Sequence, residues 1–239
     1  MILKKNKVWG QGVSKIVSGI LKFKKDVHSK KKELFEKLSQ GQAPEALFIT
    51  CSDSRIDPNL LVQTEPGELF IIRNAGNIVP PHSSQTGGVT ASIEYAVAAL
   101  QVKHIVICGH SCCGAMQGVM NPQAVSELPH VSQWLSFSNA ALQVVKEKYP
   151  NDSDQEQLNH LIEQNVLLQT QHLVTHPQVA AKLATGKITL HAWYYDIGSG
   201  DVRAYDESLA KFVSVEEKYK DLAKAMIVEQ DQCGSNHDC

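Results

Sequence analysis

Two short apolar runs, each ending on residues that can do chemistry, restrict this 239-residue chain more than any other feature. "EALFIT" (45–50) leads into Cys51, Asp53 and Arg55, and "HIVICG" (104–109) leads into His110 and Cys113. Such continuous apolar runs read as strands buried on both faces, which belong to parallel sheets covered by helices. "GELFIIRN" (67–74) reads as a further strand. Between the strands lie a short helix after Pro58 (59–64), a glycine- and proline-rich loop (75–88) and apolar residues at helical spacing (89–101). A helix opens at 113–120. Strand, helix, strand, helix in this order predicts an α/β fold with a mostly parallel central sheet flanked by helices.

The flanks add detail to one domain spanning 1–239. Residues 13–39 predict one or two helices with exposed lysines, within an N-terminal helical arm over 1–40. Residues 121–180 read as mostly helical. "KITLHAWYYDIGSGDVRAYD" (187–206) alternates around Gly198 and Gly200 and predicts a hairpin or an edge strand with its return. From about 216 to 239 the chain forms a C-terminal extension ending in the polar "EQDQCGSNHDC".

Bulk numbers remove whole classes of function. The chain is 43% hydrophobic and 20% charged with a formal net charge of -2, which leaves no basic footprint for nucleic acid or acidic membranes. No apolar stretch is long enough for a membrane span. The N-terminus is basic and partly amphipathic but lacks a signal-peptide core and cleavage site. It therefore reads as a helix packed on the body, and the protein as cytoplasmic. In a reducing compartment the six cysteines read as metal ligands, reactive thiols or core filler before disulfides.

The residues after the strands suggest which. Alternate residues of an extended segment share a face, so Cys51, Asp53 and Arg55 can act together. Ligands collect at the carboxyl ends of strands in open α/β sheets. If the two strands are neighbours, Cys51, His110 and Cys113 converge. Two thiolates and an imidazole suit Zn2+ and leave one tetrahedral position. Asp53 can fill that position, or Arg55 can hold Asp53 in a charge-assisted pair and leave it open to water. In the open case Asp53 orients a zinc-bound hydroxide, and activity rises toward mildly alkaline pH. By local sequence Cys112 also remains available as the ligand; the H-x-x-C spacing and the helix start favour Cys113. Cys108, inside its run, reads as core.

With "CSDSR", "PGELFIIRNAGN", "IEYAV" and "GHSCCGAM" in this order, the chain resembles the β-class carbonic anhydrases over roughly residues 30–205. The resemblance implies a zinc lyase that reversibly hydrates carbon dioxide to bicarbonate and a proton, built as a homodimer or larger homo-oligomer. It assigns zinc to Cys51, His110 and Cys113, and an Asp–Arg dyad to Asp53 and Arg55. It implies substrate contacts from Gln42 and the Gly114 backbone N–H, with Phe70 and Tyr95 at the pocket of a dimer interface. Phe48 stands where a second subtype carries a tryptophan, so the resemblance is to the accessible-zinc, plant-like subtype and to cyanobacterial and bacterial members. Ala75 departs from the family's frequent valine and widens the pocket. Two other readings compete: hydrolysis of carbon disulfide or carbonyl sulfide at the same site, and a zinc- or redox-sensing protein using Cys112, Cys113, Cys233, His237 and Cys239. None of the other histidines has a spacing that marks it as a proton shuttle.

Overall fold

The apolar runs form the centre of a sheet in the computed structural model, which describes residues 11–84 and 87–222. Strand β1 (Ala46–Cys51) lies between β2 (Leu69–Asn74) and β3 (His104–His110), and β4 (Thr189–Tyr195), β5 (Val202–Asp206) and β6 (Lys211–Ser214) follow outward from β3. The strands β2, β1, β3 and β4 run parallel. The last two are antiparallel additions at one edge. The expected hairpin over 187–206 is present as β4 and β5. The four residues of β6 were not foreseen, because Lys211–Ser214 is too short to show an alternating pattern.

Burial explains why these runs are strands. Leu47, Phe48, Ile49, Thr50 and Cys51 are all buried, so both faces of β1 are covered. Leu47, Ile49, Ile105 and Ile107 pack with Ile93, Val97, Val166 and Leu173 on one face. Phe48, Val106 and Cys108 pack with Leu61, Val62, Leu69 and Trp193 on the other. Each such side chain contributes about 1.5–3 kcal/mol on burial. The Thr50 hydroxyl, inside this apolar layer, donates to the Cys108 carbonyl at 2.8 Å.

The described chain divides into two units, one ending at Gln42 and one beginning at Ala43. In the first, α1 (Gln11–Lys22) continues through a π turn over Phe23–His28, and α2 (Lys32–Leu38) follows. Phe23, His28 and Phe35 form an aromatic cluster there, while Ile16, Val17, Ile20 and Leu21 of α1 are exposed.

In the second unit, α3 (Pro58–Val62) is short, with Asp57 accepting from the Leu60 N–H at its start. Helix α4 (Gly88–Glu94) continues through a π turn over Tyr95–Ala99, and together they cover most of the helical stretch expected over 89–101. Then come α5 (Gly114–Met120), α6 (Pro129–Leu135), α7 (Asn139–Lys148), α8 (Asp154–Val174), α9 (Pro177–Ala184) and α10 (Val215–Lys218). Helix α8 starts with a capping box between Ser153 and Glu156. It approaches β3 so closely that a Cβ on Gly109 would lie 2.7 Å from Val166 Cγ2. No helix among the described residues is long and apolar enough to cross a membrane. The C-terminal cysteines and His237 lie outside the described residues.

Candidate active site

The two chemistry-bearing turns meet because β1 and β3 are adjacent and in register, with Thr50 opposite Cys108. Cys51 ends β1, and Ser52 N–H still donates to the Asn74 carbonyl at 2.9 Å. Arg73 then clamps the departing backbone: Nε donates to the Cys51 carbonyl at 3.0 Å and Nη2 to the Asp53 carbonyl at 2.7 Å. After β3 the chain turns through Cys112, which adopts the left-handed conformation at φ 54°. That turn sends the exposed Cys112 outward and places the buried Cys113 at the start of α5.

Cys51, His110 and Cys113 converge as the spacing predicted, their ligand atoms all within 4.8 Å of one another. The two sulfurs are 4.0 Å apart. Two thiolates about 2.3 Å from a tetrahedral zinc stand about 3.8 Å apart, so the pair needs little adjustment. His110 Nδ1 faces the Ser111 carbonyl at 2.9 Å and must be the protonated nitrogen, because a carbonyl only accepts. Nε2 therefore carries a bare lone pair, and it is a buried nitrogen with no hydrogen-bond partner. An orphaned lone pair at a residue 1% exposed is costly unless a cation or donor meets it. The donor set and this orphan fit one zinc ion.

The thiols are prepared for metal. The contact with Cys113 lowers the Cys51 pKa to about 4, helped by the Gly76 and Asp53 N–H groups. Cys113 moves the opposite way, held protonated first by its contact with the Cys51 sulfur and then by burial. The metal-free pair thus sheds one proton easily and resists losing the second, a resistance that a cation removes.

Asp53 and Arg55 form the expected pair. Arg55 Nε donates to Asp53 Oδ1 at 2.9 Å and Nη2 to Oδ2 at 2.7 Å, a bidentate fork. Arg55 Nη2 also donates to the Cys112 carbonyl at 3.1 Å, which ties the two turns together. The guanidinium holds the Asp53 carboxyl well below the usual carboxylate range. Asp53 Oδ2 lies 3.9 Å from His110 Nε2, so the carboxylate borders the site while Arg55 holds it. Beside them a cavity of about 310 Å³ is lined by Cys51, Asp53, Ala75, Gly114, Val131 and Leu135 among others. Its wall is mainly apolar, with one charged group.

Of the further expected residues, Gly114 lines this cavity. Phe70 and Tyr95 sit together, with ring centroids 6.0 Å apart, but do not line their own chain's cavity. Tyr95 is half exposed. Gln42 closes the first unit and is exposed. Sequence reasoning missed the groups that hold the 74–80 loop. Asn74 brackets Ile78 with its side-chain amide. Gly76 adopts φ +81°, and a Cβ there would lie 2.9 Å from Met116 Cε. Its N–H points at Cys51 Sγ, 3.4 Å away. Trp134 and Asn165 reach this loop from helices far along the chain. Arg73, at the end of a strand beside the motif, was the one with a local signal.

Comparison with known proteins agrees with this geometry. The family profile described as carbonic anhydrase matches residues 46–202, which contain both turns. A carbonic anhydrase of Pseudomonas aeruginosa is 48% identical over 202 residues, covering 84% of this chain and 91% of that protein. The solved structure of the β-carbonic anhydrase CcaA superimposes with a TM-score of 0.83 at 42% identity, covering 85% of this chain and all of that one. A structure of tetrameric β-carbonic anhydrases from Sordaria macrospora matches with a TM-score of 0.69 at 30% identity, over 85% of this chain and 99% of that one. Two turns that converge on an unpartnered imidazole nitrogen, inside a sheet that these relatives share, place the chain in the β-carbonic anhydrase family.

Proposed function

We infer that Cys51, His110 and Cys113 hold the zinc at which this carbonic anhydrase interconverts carbon dioxide and bicarbonate. The protein is a zinc lyase by family. The orphaned lone pair of His110 beside two buried thiols carries the assignment of residues. Zinc bound there supplies a Lewis acid that lowers the pKa of water toward neutrality.

The chain's own groups do the rest. Asp53 presents a carboxylate oxygen to a water proton and so fixes the direction of the water's lone pair. Arg55 occupies both Asp53 oxygens and keeps the carboxylate from drifting into the metal position. Because Arg55 holds its pKa low, Asp53 orients the proton and does not store it at neutral pH. The proton released on hydration therefore passes to solvent. Ala75, Val131 and Leu135 give carbon dioxide an apolar wall and exclude bulk water. The Gly114 N–H, in a first helical turn that leaves such donors free, stabilises negative charge on the product oxygens.

Gln42, Phe70 and Tyr95 act at a pocket shared between copies of the chain. What supports this is the half-exposed Tyr95 paired with Phe70, the exposed apolar stripe of α1, and tetrameric relatives in Sordaria macrospora. A homodimer or larger homo-oligomer in the cytoplasm is the working form in this reading.

The test is stopped-flow carbon dioxide hydration on protein with its zinc quantified. One zinc per chain with turnover that disappears on chelation is the expected result. Full zinc occupancy without turnover would overturn the function. Active dissociated monomers would overturn the shared pocket.

A further inference from the structure

A ligand thiolate gives less charge to its metal when an N–H is aimed at the sulfur, and such outer contacts are set by the groups behind them. Cys51 Sγ receives the Gly76 N–H at 3.4 Å. Gly76 has no side chain and sits at φ +81°, so nothing of its own fixes the two peptide planes that meet there.

Both planes are gripped from outside. A planar trans peptide points its carbonyl opposite to its N–H. The peptide that carries the Gly76 N–H has the Ala75 carbonyl at its other end, and Trp134 Nε1 donates to that carbonyl at 2.9 Å. The next peptide carries the Gly76 carbonyl, to which the buried Asn165 Nδ2 donates at 3.0 Å. The Asn165 amide cannot turn over, because its Oδ1 already accepts from Ser138 Oγ at 2.7 Å and Gln169 Nε2 at 2.8 Å. Gln169 Oε1 accepts from the Val79 N–H at 2.9 Å and extends the same grip along the loop.

We propose that Trp134 and Asn165 are positioning residues for the metal centre: by holding the carbonyls on either side of Gly76, they aim its N–H at the Cys51 sulfur. The chain Trp134 N–H to Ala75 carbonyl to Gly76 N–H to sulfur also polarises each bond in turn. The result is a thiolate whose donation is tempered, which preserves Lewis acidity at a site with two sulfur ligands. Neither residue lines the cavity. The proposal rests on the assignment of Cys51, His110 and Cys113 as ligands.

Trp134→Phe keeps an aromatic ring beside Phe137 and removes the N–H together with part of the indole, so it tests the idea with moderate risk to folding. Asn165→Ala removes the second grip, and Asn165→Asp is the fallback if that variant fails to fold. Ser138→Ala is the control: it removes one of the two donors to Asn165 Oδ1, while Gln169 Nε2 still fixes the amide and neither carbonyl is touched. Zinc affinity is read by chelator competition, and the thiolate-to-cobalt charge-transfer band is read on the cobalt-substituted protein. Expected are about 10-fold or greater losses of zinc affinity and a shifted band in the Trp134 and Asn165 variants, with Ser138→Ala unchanged. Unchanged affinity and band in the Trp134 and Asn165 variants would overturn the proposal. Equal losses in Ser138→Ala would also overturn it, since they would report general loosening. Failure of the unaltered protein to bind one zinc would sink the ligand assignment instead.

Discussion

Two voids flank the sheet, one at the carboxyl end of β1 and one on the face shared by β1, β3 and β4. At the carboxyl end of β1 lies the 310 Å³ cavity, lined by Cys51 and Asp53, with Arg55 paired to Asp53 and with His110 and Cys113 beside Cys51. On the face carrying Ala46, Phe48, His104, Val106, His191 and Trp193 lies a groove of about 440 Å³, larger and almost wholly apolar. The groove has polar groups, but they satisfy one another: His191 meets Tyr219 Oη at 2.9 Å, and Thr189 Oγ1 meets both His104 and His191. Beside Cys51, which lines the cavity, His110 Nε2 is instead a buried nitrogen that nothing meets. Size does not mark the active site here. Unmet bonding capacity beside two thiols does: Asn77 Nδ2 is unpartnered too, but among the described residues His110 Nε2 is the one that belongs to a cluster able to hold a metal.

The comparison breaks most readily at the sulfurs. Cys113→Ser should lose stoichiometric zinc and turnover, while Cys112→Ser keeps both, since only Cys113 turns inward. Metal analysis decides it, and retention of zinc by Cys113→Ser alone would reassign the ligand. Next in size, Asp53→Ala and Arg55→Ala should keep zinc and fold yet lose about 100-fold or more in turnover. The accompanying pH behaviour has a definite sign. Asp53 has a depressed folded pKa, so its ion pair stabilises the protein fully above about pH 4 and is lost only as pH falls through the folded value. Carbon-13 shifts of the Asp53 carboxyl should therefore show no titration between pH 5 and 9, taking about pH 4 as the unperturbed value.

A smaller effect tests the packing behind the cavity. Gly76→Ala meets Met116 and a positive φ and should cost about 1–3 kcal/mol in denaturant unfolding. An unchanged midpoint would show that Met116 yields freely. The smallest effect belongs to the groove. His104→Ala removes an exposed ring and should change stability by no more than about 0.5 kcal/mol, with zinc content and turnover unchanged. Loss of zinc in that variant would erase the contrast between the two voids.

Much of this was fixed by residue order alone. Short apolar runs rich in β-branched and aromatic residues favour strands of a sheet covered by helices, so β1, β2 and β3 were legible from their side chains. The candidate ligands Cys51, His110 and Cys113 and the pair Asp53–Arg55 lie at the ends of β1 and β3 or within a few residues of them, so local spacing reached them too. The tertiary structure decided what depends on distant segments or on backbone torsion. The left-handed Cys112 chose between two adjacent cysteines. The last turns of the helix over 88–99 took π geometry, and antiparallel pairing made a strand of Lys211–Ser214. Trp134 and Asn165 carry no motif, because a hydrogen bond to a backbone carbonyl asks only for a donor at the right place in space. Sequence determines which groups follow a strand; only the packed chain determines which distant donors hold them still.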